Sequence, residues 1–536
     1  MLEIFRPDSS SMAIYRQLAL PGMRRVLTLI LPSIGNMVFV SILLVLVFGT
    51  GNGLLYDGDT GYHIRTGEEI LKNWRIPVQD IFSAHLPTLH WTAHEWLSEV
   101  ILAAVFKLSG LTGIVIFFAL LLAVTHWLLY FVLSQKSANL TLVTLTTFLA
   151  TATSSSHWLA RPHVFSLLLT LVWYHILDRF QQESHDRLFY LPILMILWVN
   201  LHGGYFFGLV LVGLYFGGNL MSSFFTPPQE SIQHRKKAKT LFTYLLLTVT
   251  ACVINPLGFE ILLYPMQFMS DRFLMDRVIE FLSPNFHEAL PFKYMLLTTI
   301  AALAFSRAPL NLIECGLVLL VSYMALYSAR YMSLFAIIVA PLLLKSGDSV
   351  ISNLPAPVAR FFHTRNRNLA EIDKKVWGYV WPTCAALLVV GLGLAGRLQF
   401  NFDEKRFPVE AVKFLNQERI TGNMFNNDEF GDYIIFSSWP KYRVFMDGRS
   451  DMYGKKLGSA YLQVANVLPG WKEILAQNKI SWIIFDTNSA LTAALGDDQD
   501  WQPIYTDQVA TIFIKKNADH GLLLAKYPAV DLRFSK

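Results

Sequence analysis

Long apolar stretches, separated by short polar segments, fill the first three quarters of the chain. The first stretch runs from Leu27 to Gly49, and similar stretches recur as far as Gly396. Because a membrane-crossing helix needs about 20 apolar residues, this pattern predicts a polytopic α-helical membrane protein with about eleven spans. After the first, we expect spans at Thr112–Leu133, Leu140–Ser156, Val164–Leu177, Leu188–Leu201, Phe206–Met221, Leu241–Ile254, Tyr294–Phe305, Leu310–Tyr327, Met332–Leu344 and Trp377–Gly396.

Beyond Gly396 this pattern stops, and polar and apolar residues mix over short distances. Val409–Gln417 has helical periodicity. We therefore expect two regions: a transmembrane domain over residues 1–396, with a large first outer loop at 50–110, and a soluble α/β domain over residues 397–536. Short β-like runs in the second region predict strands at Asp432–Phe436, Arg443–Met446, Ser481–Phe485 and Ala510–Lys515.

The composition is that of a membrane protein. Hydrophobic residues make up 53% of the chain, charged residues only 15%, and the mean hydropathy is +0.40, whereas soluble proteins carry about 25% charged residues. The net charge of +5 is scattered over short inter-helix segments, so nucleic acid is not an expected partner. Three cysteines lie in apolar runs and are expected to be packing residues: Cys252, Cys315 and Cys384.

The basic residues also predict the orientation. Arg24 and Arg25 precede the first span, which places the N-terminus in the cytoplasm and the first loop outside. An odd number of spans then places everything after Gly396 outside. If the short apolar segment Val100–Leu108 crossed as well, the basic loops would face the wrong side. We therefore expect that segment to lie along the outer interface.

Unusual polar residues collect at the predicted outer ends of the helices. The first loop carries Asp57, Asp59, His63, Arg65 and Glu95. Charge at a membrane boundary is costly and usually marks an ion or substrate site, and acids, histidines and arginines on one face are what an active site there requires. The same side is predicted to hold His94, Arg161, His163, Asn200, His202 and Arg330.

Each of these residues also has a purely structural interpretation. Asp57 and Asp59 fit an Asp-Gly turn. Arg65 would pair with Glu68 in a helical segment, whereas in an extended segment it would share a face with His63. Helix capping or snorkelling at the interface would account for Arg161, Asn200 and His202.

The residue types fit the chemistry of a lipid-linked sugar, whose cleavable bond lies at the membrane surface. Its phosphate needs fixed cations, and the planar guanidinium matches phosphate oxygens. An acceptor hydroxyl or amide needs a carboxylate to take or hold its proton. A divalent metal such as Mg²⁺ or Mn²⁺ on carboxylates and histidine could neutralise the leaving phosphate.

The segment Asp59-Thr60-Gly61-Tyr62-His63-Ile64-Arg65, together with the topology, resembles the GT-C superfamily of polyprenyl-phosphate-dependent glycosyltransferases. The likeness is in particular to the catalytic subunit of oligosaccharyltransferases, which has an Asp, an aromatic-His pair and an Arg at this spacing. The resemblance implies that Asp59 binds a divalent metal and the acceptor group. Arg161 matches the family's second-loop Arg, but Pro162–Ser166 lacks the acidic pair that follows it there. His163 is therefore a candidate replacement ligand, and a metal-free reaction is the alternative.

The family's outer domain also carries a Trp-Trp-Asp-Tyr-Gly segment that reads the acceptor sequon. Asn426–Tyr433 is only distantly similar, so sequon recognition is not carried over. Asp432, Asp447 and Arg449 are candidates for the acceptor side of the cleft. Further segments resemble a group of uncharacterised bacterial membrane proteins, and this likeness implies no substrate: Trp91–Trp96, Ala160–His163, Trp198–Gly203 and Asp447–Tyr453.

The main hypothesis is a glycosyltransferase of the bacterial inner (plasma) membrane with a periplasmic or extracytoplasmic C-terminal domain. It would pass a sugar from a polyprenyl phosphate or pyrophosphate to a protein, glycan or lipid acceptor of the envelope. Two other functions stay open: a transporter or flippase for lipid-linked glycans, and a non-catalytic envelope scaffold. The predicted roles are catalysis for Asp59, Asp57, His63 and Glu95, phosphate binding for Arg161, Arg330 and Arg65, orientation for His94, His163, His202 and Asn200, and metal binding for Asp59 and His163.

Overall fold

The computed structural model describes residues 30–85, 88–183, 187–373 and 378–530. Arg24, Arg25 and the start of the first predicted span lie outside these residues. Up to Leu394 the apolar stretches form helices, as the hydrophobic pattern predicts. They are α1 (Ile34–Phe48), α2 (Asp59–Asn73), α3 (Trp96–Lys136), α4 (Leu140–Ser154), α5 (His163–Glu183), α6 (Tyr190–Leu201), α7 (Tyr205–Phe225), α8 (Pro228–Cys252), α9 (Tyr264–Ser270), α10 (Arg272–Met275), α11 (Pro291–Phe305), α12 (Leu312–Tyr327), α13 (Met332–Ser352), α14 (Ala356–Asp373) and α15 (Val380–Leu394).

Short 3₁₀ helices connect several of these elements near the outer loops. They are Gly51–Leu55, Ser155–His157, Gly258–Leu262, Ile279–Phe281 and Ala329–Tyr331. Within the described part, three helices are long and apolar enough to cross a membrane: Trp96–Lys136, Tyr205–Phe225 and Ala329–Ser352. Several shorter apolar helices accompany them, so the count of eleven spans stays a prediction.

Helix α3 contains the short apolar segment that the sequence sets apart. Its backbone leaves helical geometry at Ser109 and Gly110, where Gly110 has φ 58°, a conformation that favours glycine. Val100–Leu108 therefore forms the first arm of a kinked helix. Its placement along the outer interface stays a prediction.

The C-terminal region folds around a small mixed sheet of β1 (Asn423–Asn426), β2 (Ile480–Asp486), β3 (Trp501–Thr506) and β4 (Ala510–Lys515). The strand order is β1-β2-β4-β3, with β1 parallel to β2 and the other pairs antiparallel. The prediction of an α/β arrangement here is confirmed. The helices are α16 (Val409–Gln417), α17 (Asp428–Ser438), α18 (Ser450–Ala465), α19 (Trp471–Gln477), α20 (Ala490–Gly496) and α21 (Gly521–Lys526), with a 3₁₀ turn at Ala518–His520.

Two of the predicted strands are wrong. Asp432–Phe436 lies inside α17, because the Asn427 side chain accepts hydrogen bonds from two backbone amides and starts a helix. A five-residue apolar run cannot by itself separate a strand from a buried helix. Arg443–Met446 forms no strand; Val444 makes only an isolated parallel bridge with Ser83.

The first outer loop is built into the C-terminal domain. Tyr62 and Phe82 belong to the same buried cluster as Trp482 and Ile512 of the sheet, and Phe82 is fully buried. The amide of Val444 donates to the Phe82 carbonyl at 3.0 Å. The loop thus joins the helical region to the sheet, and the candidate site lies at this junction.

Candidate functional site

A cavity of about 1300 Å³ lies between the loops that join the helices and the C-terminal domain. Its walls come from the first loop, the residues around Arg161 and His202, the segment from Tyr264 to Phe281, and the C-terminal residues around Gly448. One part of the wall is polar and charged. Another part is apolar, formed by side chains of α7 and α12: Phe206, Phe207, Val210, Leu320 and Met324.

Asp59 stands at the first position of α2, where a carboxylate is favoured by the positive end of the helix dipole. Its amide donates to Oδ1 of Asp57 at 2.9 Å, so the predicted Asp-Gly turn and a charged site coexist. The Thr60 hydroxyl donates to the Ala160 carbonyl at 3.0 Å. This bond ties the start of α2 to the segment that carries Arg161.

Arg161 gathers carboxylates from different parts of the chain. Its Nη1 lies 2.6 Å from Oδ2 of Asp57, and its Nη2 lies 2.6 Å from Oδ2 of Asp59. Glu280 Oε2 lies 3.5 Å from the same Nη1. The interpretation of Arg161 as a snorkelling side chain is therefore wrong.

Glu280 connects Arg161 to the second predicted phosphate-binding arginine. Its Oε1 lies 3.8 Å from Nη1 of Arg330, and its Oε2 lies 3.6 Å from Nε2 of His157. The Arg330 guanidinium stacks over the Phe281 ring at 4.9 Å. The sequence does not predict a role for Glu280, since it lies in a short 3₁₀ turn without hydrophobic periodicity. The one signal for Glu280 is an acid on the predicted outer side.

Burial and charge act on these acids in opposite directions. Burial raises the pKa of Asp59, and repulsion from Asp57 and Glu280 adds to this, while Arg161 opposes it. Burial alone would also raise the pKa of Glu280, but Arg161 and Arg330 lower it to about 2. Burial lowers the pKa of His157 to about 4. At neutral pH the cluster therefore combines ionised Glu280 and two arginines with a neutral imidazole.

His202 is held in one tautomer. The indole N–H of Trp198 donates to Ser166 Oγ at 2.7 Å, so the Ser166 hydroxyl is left to donate to Nδ1 of His202 at 2.8 Å. The Gly204 amide donates to the same nitrogen at 2.9 Å. The proton of neutral His202 is therefore on Nε2, which lies 3.9 Å from Oε1 of Glu95.

Glu95 lies among several imidazoles. It accepts the Gly203 amide at 3.0 Å and lies 3.8 Å from Nε2 of His94. Burial alone would raise the pKa of Glu95, but His202, His94, His63 and the Gly203 amide lower it to about 2. Burial lowers the pKa of His202 to about 4 and that of His63 to about 3. This part of the wall is an ionised carboxylate flanked by imidazoles.

The C-terminal domain brings Asp432 next to Asp59. Both oxygens of Asp432 accept the Gly448 amide, at 3.0 and 3.1 Å, and a Cβ at position 448 would overlap Oδ1 of Asp59. Burial raises the pKa of Asp432, and repulsion from Asp59 adds to the rise. Since only Asp59 of the two pairs with Arg161, Asp59 is the better candidate for the ionised member.

Arg449 lines the cavity and forms ion pairs with two aspartates. It pairs with Asp447 at 2.6 Å and with Asp80 at 2.8 Å, and Asp447 lies fully buried behind it. Among the described residues, Nη1 of Arg449 and Oε2 of Glu99 are buried without a hydrogen-bond partner. Both residues line the cavity.

Two predicted site residues point elsewhere. Because α2 is helical, His63 and Arg65 lie about 200° apart on it, and only His63 lines the cavity. Arg65 donates to the Phe436 carbonyl at 2.6 Å and pairs with Glu68, which corrects its predicted role at the phosphate.

Asn200 is also a structural residue. Its side chain donates to the Ile254 carbonyl at 2.7 Å and accepts the Trp96 indole N–H at 2.6 Å. These bonds join three chain segments behind the wall. The orienting role predicted for Asn200 is therefore indirect, whereas His94, His163 and His202 all line the cavity.

A divalent metal on Asp59 and His163 does not fit the side chains as they are placed. Asp57 and Asp59 direct oxygens to Arg161, and Nε2 of His163 donates to the His157 carbonyl at 2.9 Å. Mg²⁺ demands a near-octahedral set of oxygen ligands. In the described part of the chain, no group of three or more His, Cys, Asp or Glu side chains could hold a metal ion.

Comparison with known proteins identifies solved structures with a similar fold and low sequence identity. No protein-family model and no curated protein sequence matches the chain. One similar structure is the archaeal oligosaccharyltransferase AglB from Archaeoglobus fulgidus in complex with an inhibitory peptide and a dolichol-phosphate, with TM-score 0.52 and 9% identity over 88% of this chain and 72% of that chain. Another is the Archaeoglobus fulgidus oligosaccharyltransferase tethered with an acceptor peptide, with TM-score 0.53 and 10% identity over 90% and 74%. The chain therefore shares its overall fold with these oligosaccharyltransferases.

Proposed function

We propose that this chain is a membrane glycosyltransferase that moves a sugar or oligosaccharide from a polyprenyl phosphate or pyrophosphate to an envelope acceptor on the outer face. The observation that carries the proposal is the cavity: its polar wall pairs Asp59 with Arg161, and Glu280 links Arg161 to Arg330, while its other wall is apolar. A lipid-linked sugar has the same two parts. The fold shared with an enzyme solved in complex with a dolichol-phosphate supports the proposal.

In the proposed reaction, the acceptor oxygen or nitrogen attacks the anomeric carbon of the sugar. The acceptor proton passes to the Asp59 carboxylate. The bond between the anomeric carbon and the phosphate oxygen breaks, and the lipid phosphate leaves with the electron pair. Arg330, whose nearest carboxylate oxygen among the described residues is 3.8 Å away, and the Nε2–H of His202 would stabilise that charge.

The apolar wall would hold the first isoprene units of the donor. It lies beside the charged cluster, so a lipid chain along α7 and α12 would place its phosphate near Arg330. Arg449 and Asp432 line the cavity from the C-terminal domain. We assign Arg449 and Asp432 to the acceptor side on that ground.

Glycan analysis of cells with defined variants tests the proposal. Glycans on envelope proteins and lipids would be measured by mass spectrometry in cells lacking the chain, complemented with wild type, Asp59→Asn or Glu69→Gln. Glu69 lies on the same helix but pairs only with Lys72 and Asn73 among the described residues, so it is the matched control. We expect one glycoform to be restored by wild type and Glu69→Gln, and its formation to fall by about 100-fold or more in Asp59→Asn. An unchanged glycan profile in every strain would contradict transferase activity.

The proposed orientation has its own test. If the C-terminal domain lies on the outer face, alkaline phosphatase fused after Lys536 will be active, because that enzyme folds only in an oxidising compartment. A fusion inserted at residues 233–239, the predicted cytoplasmic basic segment, is the control and should be inactive. The reverse pair of activities would contradict the orientation.

A further inference from the structure

We propose that Arg161 is a built-in cation that takes the place of a divalent metal at Asp59, so that sugar transfer in this chain needs no metal. The inference rests on the proposed function for the reaction, whereas the ion-pair geometry of Arg161 does not depend on that function. It goes beyond the family resemblance, which implies that Asp59 is a metal ligand.

The carboxylate oxygens that face Arg161 already have partners. Oδ2 of Asp57 accepts from Arg161 and Oδ1 accepts the Asp59 amide, so both oxygens of Asp57 are engaged. Asp59 gives Oδ2 to Arg161 at 2.6 Å. A metal bound to Oδ2 of both aspartates would have to displace the guanidinium from two short ion pairs.

Hydrogen bonds of the neighbouring residue, Ala160, hold the backbone beside Arg161 in place. The amide of Ala160 donates to the Leu54 carbonyl at 2.7 Å, and the Ala160 carbonyl accepts the Thr60 hydroxyl. The backbone beside Arg161 is thus fixed to the first loop on both sides of Asp57. The side chain is 17% exposed, so the ion pairs are shielded from solvent and salt.

The Arg161 guanidinium contacts both aspartates at once. Its planar fork offers separate N–H groups to the two aspartates, which holds the Asp59 carboxylate in one orientation without a metal. Arg161 therefore acts as a positioning residue. Oε2 of Glu280 lies 3.5 Å from Nη1 of Arg161. Removal of the guanidinium would therefore leave the carboxylates of Asp57, Asp59 and Glu280 around one gap.

The test measures Mn²⁺ binding to the purified full-length protein by electron paramagnetic resonance of the free ion. Wild type and Asp59→Asn should bind the same amount of Mn²⁺. Arg161→Ala should bind about one further ion per chain, and Arg161→Ala/Asp59→Asn should lose it again. Size-exclusion chromatography and thermal melting would confirm that each variant is folded.

Two outcomes would overturn the proposal. One is a Mn²⁺ ion that wild type binds and Asp59→Asn does not. The other is a folded Arg161→Ala variant that gains no Mn²⁺, which would show that the carboxylates do not face a common cation position.

A transfer assay with a chelator separates this inference from the proposed function. With EDTA present, wild type should keep its full rate. A rate abolished by EDTA and restored by Mn²⁺ would overturn the inference while supporting glycosyl transfer. Absence of transfer in every sample would contradict the proposed function and leave the Mn²⁺ binding result to decide the role of Arg161.

Discussion

At the scale of single residues, the site depends on how buried charges are paired. Asp59 has a cation, Arg161, at 2.6 Å, whereas Asp432 has a backbone amide. A buried carboxylate without a cation is costly to ionise. The two acids are therefore unequal, and Asp59 is the one suited to accept a proton during the proposed transfer.

The pH dependence of transfer should report the charges around Asp59. Burial and the neighbouring acids raise its pKa, so activity that needs ionised Asp59 should be lost on acidification above the usual pKa of an aspartate, about 3.9. Asp57→Asn removes one repelling charge but keeps an oxygen for the Asp59 amide. We expect this variant to lower the pKa of Asp59 and to shift the acid limb of the pH–rate profile to lower pH.

The measurement is the transfer rate over a pH series for wild type, Asp57→Asn and the control Glu69→Gln. An acid limb that stays in place or moves to higher pH in Asp57→Asn would contradict the role given to Asp59. Glu69→Gln should superimpose on wild type, since that residue lies outside the cavity wall.

At the scale of elements, α2 is the helix that places Asp59, and its position is set by close packing. A Cβ at Gly67 would overlap the backbone carbonyl of Glu99 on α3, and one at Gly61 would meet Phe436 on α17. Glycines therefore let α2 lie between the helical region and the C-terminal domain. The pattern of apolar and polar residues along Asp59–Asn73 does not indicate either contact.

Gly67→Ala should therefore destabilise the protein by about 1–3 kcal/mol, since backbone atoms cannot move aside as a flexible side chain would. The melting temperature of the detergent-purified variant is the measurement. Gly53→Ala is the control, because a Cβ there has no atom within 4 Å among the described residues. Equal melting temperatures for the two variants would show that α2 does not depend on this contact.

The elements also show where sequence patterns suffice. Val409–Gln417 and Ala510–Lys515 have the predicted bounds, because each has a clear period and a defined end. Asp432–Phe436 was predicted as a strand and is helical, since its helical start depends on the Asn427 cap outside the run. Short apolar runs are decided by what they pack against.

At the scale of the whole molecule, the first loop and the C-terminal sheet share one core. Tyr62 and Phe82 pack with the sheet residues Trp482 and Ile512, although hundreds of residues separate them in the chain. The boundary at residue 397 between the transmembrane and α/β domains stays a prediction from the sequence. In space, part of the first loop belongs to the hydrophobic core around the sheet.

Phe82→Ala should therefore lower stability by about 3–5 kcal/mol, as for other fully buried aromatic residues. Leu522→Ala is a matched control in the C-terminal domain, since Leu522 is 90% exposed and its truncation should have little effect. Thermal melting of the full chain is the measurement. A Phe82→Ala protein as stable as wild type would contradict the shared core.

Hydrophobic periodicity and charge are local properties, so they are enough to predict the helical class, the C-terminal α/β region and the candidate acids of the first loop. Which of these charges meet depends on the three-dimensional packing. The ion-pair cluster brings together Asp59, Arg161 and Glu280 from distant segments of the chain, and no sequence spacing relates these segments. Arg65 lies outside the site because the helical geometry of α2 directs its side chain away from the cavity. Ion pairing of this kind is set by the packing of whole elements, which a linear pattern does not contain.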